Sequence, residues 1–163
     1  MQKTACADVF KHDMTNKYFD TVYRLALNQM KDKHMAEDVT QDVFVKYINA
    51  DNEFESEEHV NAWLIRVTVN MCKNVFNSAW YKKSAPLEED IPTEENEISD
   101  LYEEVLKLPK KYKAVIHLFY YEDMSIADIA TCLGEKESTI KSQLHRAREM
   151  LKKTLKGGCD YEF

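Results

Sequence analysis

Between Lys17 and Lys31, Phe19, Val22, Tyr23, Ala26 and Met30 recur at i, i+3, i+4, i+7 and i+11, one face of an α-helix. A second helix is predicted over MAEDVTQDVFVKYI, with Ala36, Val39, Val43 and Tyr47 inward and Asp38, Gln41 and Asp42 on the other face. After the polar, glycine-free stretch NADNEFESEEH, a third helix starts near Val60. Its apolar stripe is Val60, Leu64, Val67, Met71 and Val75, while Asn61, Arg66, Asn70, Lys73 and Asn74 face elsewhere. Three helices with complementary stripes predict a small bundle, with Trp63 in its core.

Helix signals return at Leu101. LYEEVLKL ends at Pro109, which suits the first turn of a new helix. PKKYKAVIHLFYYED then offers Val115, Ile116, Phe119 and Tyr120 to a core. Ser125, with Asp128 three positions on, has the form of a capping box opening SIADIATCL. Gly134 follows as a helix-ending residue able to take a left-handed backbone. A tight turn, GEKE, leads into a last helix whose buried face is marked by Ile140, Leu144, Leu151 and Leu155. Two short helices joined by a tight glycine-containing turn predict a helix-turn-helix.

Charge separates the chain into zones. It has 163 residues and net charge -7, with only three glycines and three prolines, which favours an all-α fold. Residues 1–83 carry a net -1, residues 84–108 a net -8, and residues 109–158 a net +4. The acidic zone opens SAPLEEDIPTEENEISD, holds Pro86 and Pro92 and has few apolar residues, so it reads as a linker. Against that background Ser138–Lys153 is basic, with Lys141, Arg146, Arg148, Lys152 and Lys153 against Glu149 alone. Lys141, Ser142, Gln143, His145, Arg146 and Arg148 face outward from the predicted last helix. Such a set combines phosphate neutralisers with base readers, since Gln suits adenine and Arg or Lys suits guanine or the backbone. Duplex DNA is therefore the expected partner. A basic helix that packs in a bundle or meets a protein is the bland alternative, as a merely solvated face is for Asp38, Gln41 and Asp42.

Other chemistry finds little support. Cys6, Cys72, Cys132 and Cys159 are scattered, as are the five histidines, so neither a zinc site nor a disulfide scaffold is expected. No phosphate loop, nucleophile elbow or paired-carboxylate motif appears, so no cofactor and no enzyme activity is expected. No apolar run approaches the ~18 residues needed to span a membrane. The opening MQKTACADVFKHDM has no secretory apolar core, and a cytoplasmic protein is expected.

The same residues carry a family resemblance. LPKKYKAVIHLFYYEDMSIADIATCLGEKESTIKSQLHRAREML resembles region four of bacterial RNA polymerase sigma factors, and AEDVTQDVFVKYI followed by AWLIRVTVNMCKN resembles their region two. Order and acidic linker match the small extracytoplasmic-function (ECF) type. The resemblance implies two small helical domains, residues 1–83 and 101–163, joined by the linker 84–100. It implies that Asp38, Gln41 and Asp42 dock on the beta-prime clamp helices of core RNA polymerase. Asn52, Asn61, Arg66, Asn70 and Lys73 would then engage the minus-ten element, where a base is captured from the unstacked non-template strand. Ser138, Thr139, Lys141, Ser142, Gln143, His145, Arg146 and Arg148 would read the minus-thirty-five element as duplex. The beta flap and an anti-sigma factor are further implied partners, and the linker would thread the polymerase's nucleic-acid channel. Two departures stand out: Gln143 replaces a frequently basic residue, and the loop before the third helix is acidic through Glu53, Glu55, Glu57 and Glu58. The rival is a stand-alone regulator that binds an operator and uses its N-terminal bundle to dimerise or sense.

Overall fold

The computed structural model describes residues 2–51, 53–78 and 100–154. Asn52, Leu155 and all of the linker before Asp100 lie outside the described residues. The chain divides into two compact units, Met1–Glu88 and Glu89–Phe163. Among the described residues every regular element is helical.

The first unit holds α1 (Gln2–Met30), α2 (Lys33–Asn49) and α3 (Glu57–Asn77), each packed on the other two. Lys31 takes a left-handed φ of 57°, and Asp32 then caps α2, its side chain accepting from the Met35 N–H at 2.9 Å. Ser56 caps α3 in the same way, accepting from the His59 N–H at 3.2 Å. Each cap satisfies a donor that the first helical turn leaves over, and is worth about 1 kcal/mol. Ala36, Val39, Val43 and Tyr47 face the core, as do Val60, Leu64 and Val67, while Met71, Val75 and Trp63 pack on it half-buried. Burying one such aliphatic side chain contributes about 1.5–3 kcal/mol, so these stripes hold the bundle together.

Helix α1 corrects the expected pattern twice. It begins about fifteen residues before Lys17, because Met14 and Phe10 extend the apolar contact back along the core. Phe19 is 45% exposed, and the inward positions are Met14, Val22, Leu25, Ala26 and Met30. Phe19 instead stacks on Phe44, ring centroids 5.7 Å apart, at the edge of the bundle.

The second unit holds α4 (Asp100–Leu106), α5 (Lys110–Ile116), a π-turn (His117–Tyr121), α6 (Ile126–Leu133) and α7 (Glu137–Thr154). Pro109 stands just before the first turn of α5, without a side-chain capping bond, and Ser125 caps α6, its hydroxyl accepting from the Asp128 N–H at 3.1 Å. Gly134 closes α6 at φ 67°, ψ 31°, and the Glu135 N–H reaches back to the Ala130 carbonyl at 3.0 Å. Ile140, Leu144, Ala147 and Leu151 form the buried stripe of α7 against α5 and α6.

Val115 and Ile116 are buried as expected, but the π-turn overturns the expectation for Phe119 and Tyr120. The Glu122 N–H bonds the His117 carbonyl, five residues back, at 3.2 Å. That wider ladder rotates the following side chains past the positions an α-helix would give them. Leu118 and His117 go inside, Phe119 is half-buried, and Tyr120 is exposed. Lys113, one α-helical turn before His117, is also buried.

Candidate nucleic-acid interface

The outward pole of α7 lies opposite its buried stripe. Ser138, Lys141, Ser142, His145 and Arg146 are exposed there, and Thr139 is half-buried at the flank. Glu149 joins the exposed face, where a carboxylate could accept from a cytosine amino group. Gln143 and Arg148 do not point outward as expected: both are half-buried. Each sits three or four residues from a buried position, Gln143 from Ile140 and Arg148 from Leu144, which places it at the margin of the stripe. Arg148 donates through Nε to the Tyr120 hydroxyl and lies over the Phe119 and Tyr120 rings.

Arg146 is exposed yet oriented. Its side chain hydrogen-bonds the Tyr112 hydroxyl, and this holds the phenol below its ordinary value against the opposing effect of desolvation. Lys111, with Nζ 5.0 Å from the centre of the Tyr112 ring, adds to the downward pull. Two cations from two helices therefore meet at one phenol, giving a concentrated positive edge beside the outward face of α7.

In the first unit Asp38, Gln41 and Asp42 are all exposed on one side of α2. Val45 and Ile48, 57% and 55% exposed, continue that side toward the helix end. On α3, Arg66, Asn70 and Lys73 are exposed and fall on a single stripe. Asn61 does not join them. It stands about 140° around the helix from Arg66, half-buried, with a buried Oδ1 that has no hydrogen-bond partner. Asn52 lies outside the described residues.

The segment between α2 and α3 is anchored by aromatic packing that the sequence pattern did not reveal. Phe54 sits 5.4 Å from Tyr47, 5.7 Å from Trp63 and 5.2 Å from His59, measured between ring centroids. Its neighbours Asp51, Glu53, Glu55, Glu58 and His59 are exposed. No group of His, Cys, Asp and Glu among the described residues could hold a metal ion, and no described helix is long and apolar enough to cross a membrane.

Residues 14–81 match Sigma-70 region 2, and residues 98–151 match Sigma-70, region 4. The ECF RNA polymerase sigma factor SigW of Bacillus subtilis is 27% identical over 165 residues, covering 88% of each chain. The ECF RNA polymerase sigma factor SigL of Mycobacterium tuberculosis is 32% identical over 145 residues, covering 82% of each chain. In fold, the chain is similar to the sigma factor RpoE, solved with the anti-sigma factor NepR from Bartonella quintana. That likeness has a TM-score of 0.70 at 23% identity, over 92% of this chain and 98% of RpoE. It is also similar to CnrH, solved with the cytosolic domain of CnrY, with a TM-score of 0.66 at 20% identity, over 91% of this chain and 89% of CnrH.

Proposed function

The chain belongs to the ECF RNA polymerase sigma factors, with regions 2 and 4 of the sigma-70 family, and on that premise we propose how its surfaces share the work of initiation. It binds core RNA polymerase and directs promoter recognition and the start of transcription. Residues 1–83 form the part that holds the polymerase and the minus-ten element, and residues 101–163 the part that reads the minus-thirty-five element. The acidic residues 84–100 form the connection that threads the nucleic-acid channel in place of RNA.

Asp38, Gln41 and Asp42 dock on the beta-prime clamp helices, which is supported by their common exposure on α2. Arg66, Asn70 and Lys73 follow the backbone of the unpaired minus-ten strand, with Asn52 and Asn61 nearer the captured base. Ser138, Thr139, Lys141, Ser142, Gln143, His145 and Arg146 read the minus-thirty-five duplex from the major groove. Arg148 supports that reading by fixing the helix that carries them. The second unit meets the beta flap, and an anti-sigma factor regulates the protein by covering these surfaces. The protein acts in the cytoplasm, as an initiation factor without a catalytic step of its own.

One observation carries this reading: two sigma-70 regions, in order, fall on two helical units that each keep a polar helix face exposed. Run-off transcription with purified core polymerase and a genomic promoter library tests it. New start sites are expected with the protein, and their loss when Asp38, Gln41 and Asp42 become alanine. Specific duplex binding by the free protein, with no new transcripts, would replace it with the stand-alone regulator.

A further inference from the structure

The acidic connection between α2 and α3 is tied to α1 at both of its ends. Lys11 donates through Nζ to the carbonyls of Ile48 and Ala50, both at 2.9 Å. These carbonyls belong to the end of α2, where the helix leaves acceptors over and where its dipole attracts a cation. Six residues later Lys17 hydrogen-bonds and ion-pairs with Glu57, in the first turn of α3. That bond, more than any other influence, holds the Lys17 amine above its ordinary value. The two lysines stand about 9 Å apart along α1, by the rise of an α-helix.

Between these ties the connection is held from within. Phe54 is set among Tyr47, His59 and Trp63. The His59 Nδ1 accepts from the Glu55 N–H at 3.3 Å. Asp51, Glu53, Glu55, Glu57 and Glu58 line the segment with no cation of its own. A free segment of this charge would swing away from an approaching phosphate backbone. A segment fixed beforehand loses little further freedom on binding and keeps its contact groups in place despite the repulsion.

We infer that Lys11 and Lys17 of α1 are positioning residues for minus-ten recognition, bracketing the connection between α2 and α3 in the conformation that receives the unpaired strand. The inference rests on the reading of that connection as part of the minus-ten reader. Neither lysine needs to touch DNA, since both amines are occupied on the protein.

The test uses the holoenzyme assembled from core polymerase and the full chain. The probe is a fluorescent non-template-strand oligonucleotide spanning minus ten, taken from a start site mapped by run-off transcription, with a base-scrambled version beside it. Lys11→Met keeps the aliphatic stem and removes the donor, Lys11→Arg restores a donor, and Lys17→Met breaks the second tie. Lys11→Met and Lys17→Met are each expected to weaken binding of the minus-ten oligonucleotide about tenfold, as loss of placement alone can do. Affinity for the scrambled oligonucleotide and for core polymerase should stay within about twofold, and amide exchange should quicken between α2 and α3. Lys11→Arg should recover most of the binding. Equal losses on both oligonucleotides would identify the lysines as phosphate contacts and overturn the inference. Unchanged minus-ten binding in both methionine variants would overturn it as well. A wild-type holoenzyme that does not prefer the minus-ten sequence would overturn the reading of the connection together with the inference.

Discussion

Arg148 donates its Nε–H to the Tyr120 hydroxyl at 2.9 Å, across 28 residues of chain, and its guanidinium lies 5.7 Å from the centroids of both the Phe119 and Tyr120 rings. The contact joins α7 to the π-turn. A guanidinium committed to two aromatic faces and a hydroxyl is less available to a phosphate than Arg146, its neighbour two residues earlier. The two arginines of the motif HRARE are thus held differently, and under the proposed function their duties differ.

Salt dependence separates those duties. Arg146→Ala should weaken holoenzyme binding to a minus-thirty-five duplex and lower the slope of log K against log salt by about 0.9, one phosphate contact. Arg148→Ala should weaken binding with the slope unchanged. Tyr120→Phe, which keeps the ring and removes the acceptor, should lower the stability of the second unit by about 0.5–1.5 kcal/mol and reproduce part of the Arg148→Ala effect. A reduced slope for Arg148→Ala, measured by anisotropy across a salt series, would return that residue to the DNA-contact set.

Tyr47 supplies a pH test. Its hydroxyl is buried without a hydrogen-bond partner, and burial raises the phenol above its ordinary value of 10.0. A folded-state value above the unfolded one gives stability that is complete below the unfolded value and lost as pH rises through the folded one. Tyr47→Phe removes both the orphaned hydroxyl and this alkaline loss. At pH 7 the variant should match or exceed the wild type by up to about 1–3 kcal/mol, and its advantage should grow above about pH 10. Thermal melts at the two pH values decide it, and a variant less stable at pH 7 would count against the idea.

Gly134 sits at φ 67° between α6 and α7, a region where a side chain crowds the following carbonyl. Gly134→Ala should cost about 1–2 kcal/mol. Gly134→Asn should cost less, because asparagine tolerates this conformation. Calorimetry of the full chain should show a transition lowered by several degrees in the alanine variant, and minus-thirty-five binding weakened in proportion to the loss of folded second unit.

The surface of α2 makes a contrasting case. Asp38, Gln41 and Asp42 are exposed, so replacing all three by alanine should leave the melting profile nearly unchanged, as surface substitutions usually do. Affinity for core polymerase should fall at least tenfold in the same variant, measured by competition with another sigma factor. A large fall in melting temperature would show that the loss of transcription arises from unfolding.

The turn between α6 and α7 was legible in the sequence because local chemistry dictates it: Ser125 at the cap, Gly134 at the stop, and an apolar stripe that resumes at Ile140. The inward faces of α2 and α3 were legible for the same reason, since their periods are unbroken. Phe119 and Tyr120 were misplaced because a 3.6-residue period was carried through a turn whose ladder spans five residues. Lys113 and His117 are buried against the ordinary expectation for charged and titratable side chains. The part of α1 before Lys17 was missed because its contacts are long-range: Lys11 meets Ile48 and Ala50, 37 and 39 residues away, which no local spacing encodes. Among the candidate site residues, Arg66, Asn70 and Lys73 share one exposed stripe, whereas Asn61 lies half-buried about 140° from Arg66 around the same helix, an angle that a list of polar positions does not encode.

The π-turn makes chain length at one point a determinant of where its own side chains are aimed. It holds one residue more than an α-helical path between the same ends would need. Deleting a single residue there would let the ladder close as an ordinary α-helix between the same ends, which re-aims the side chains inside the turn and leaves the elements after it facing as before. The reach of Tyr120 toward Arg148 is thus sensitive to a change that leaves every other side chain intact. The residue count of this turn therefore selects which side chain meets Arg148, with no substitution anywhere in α7.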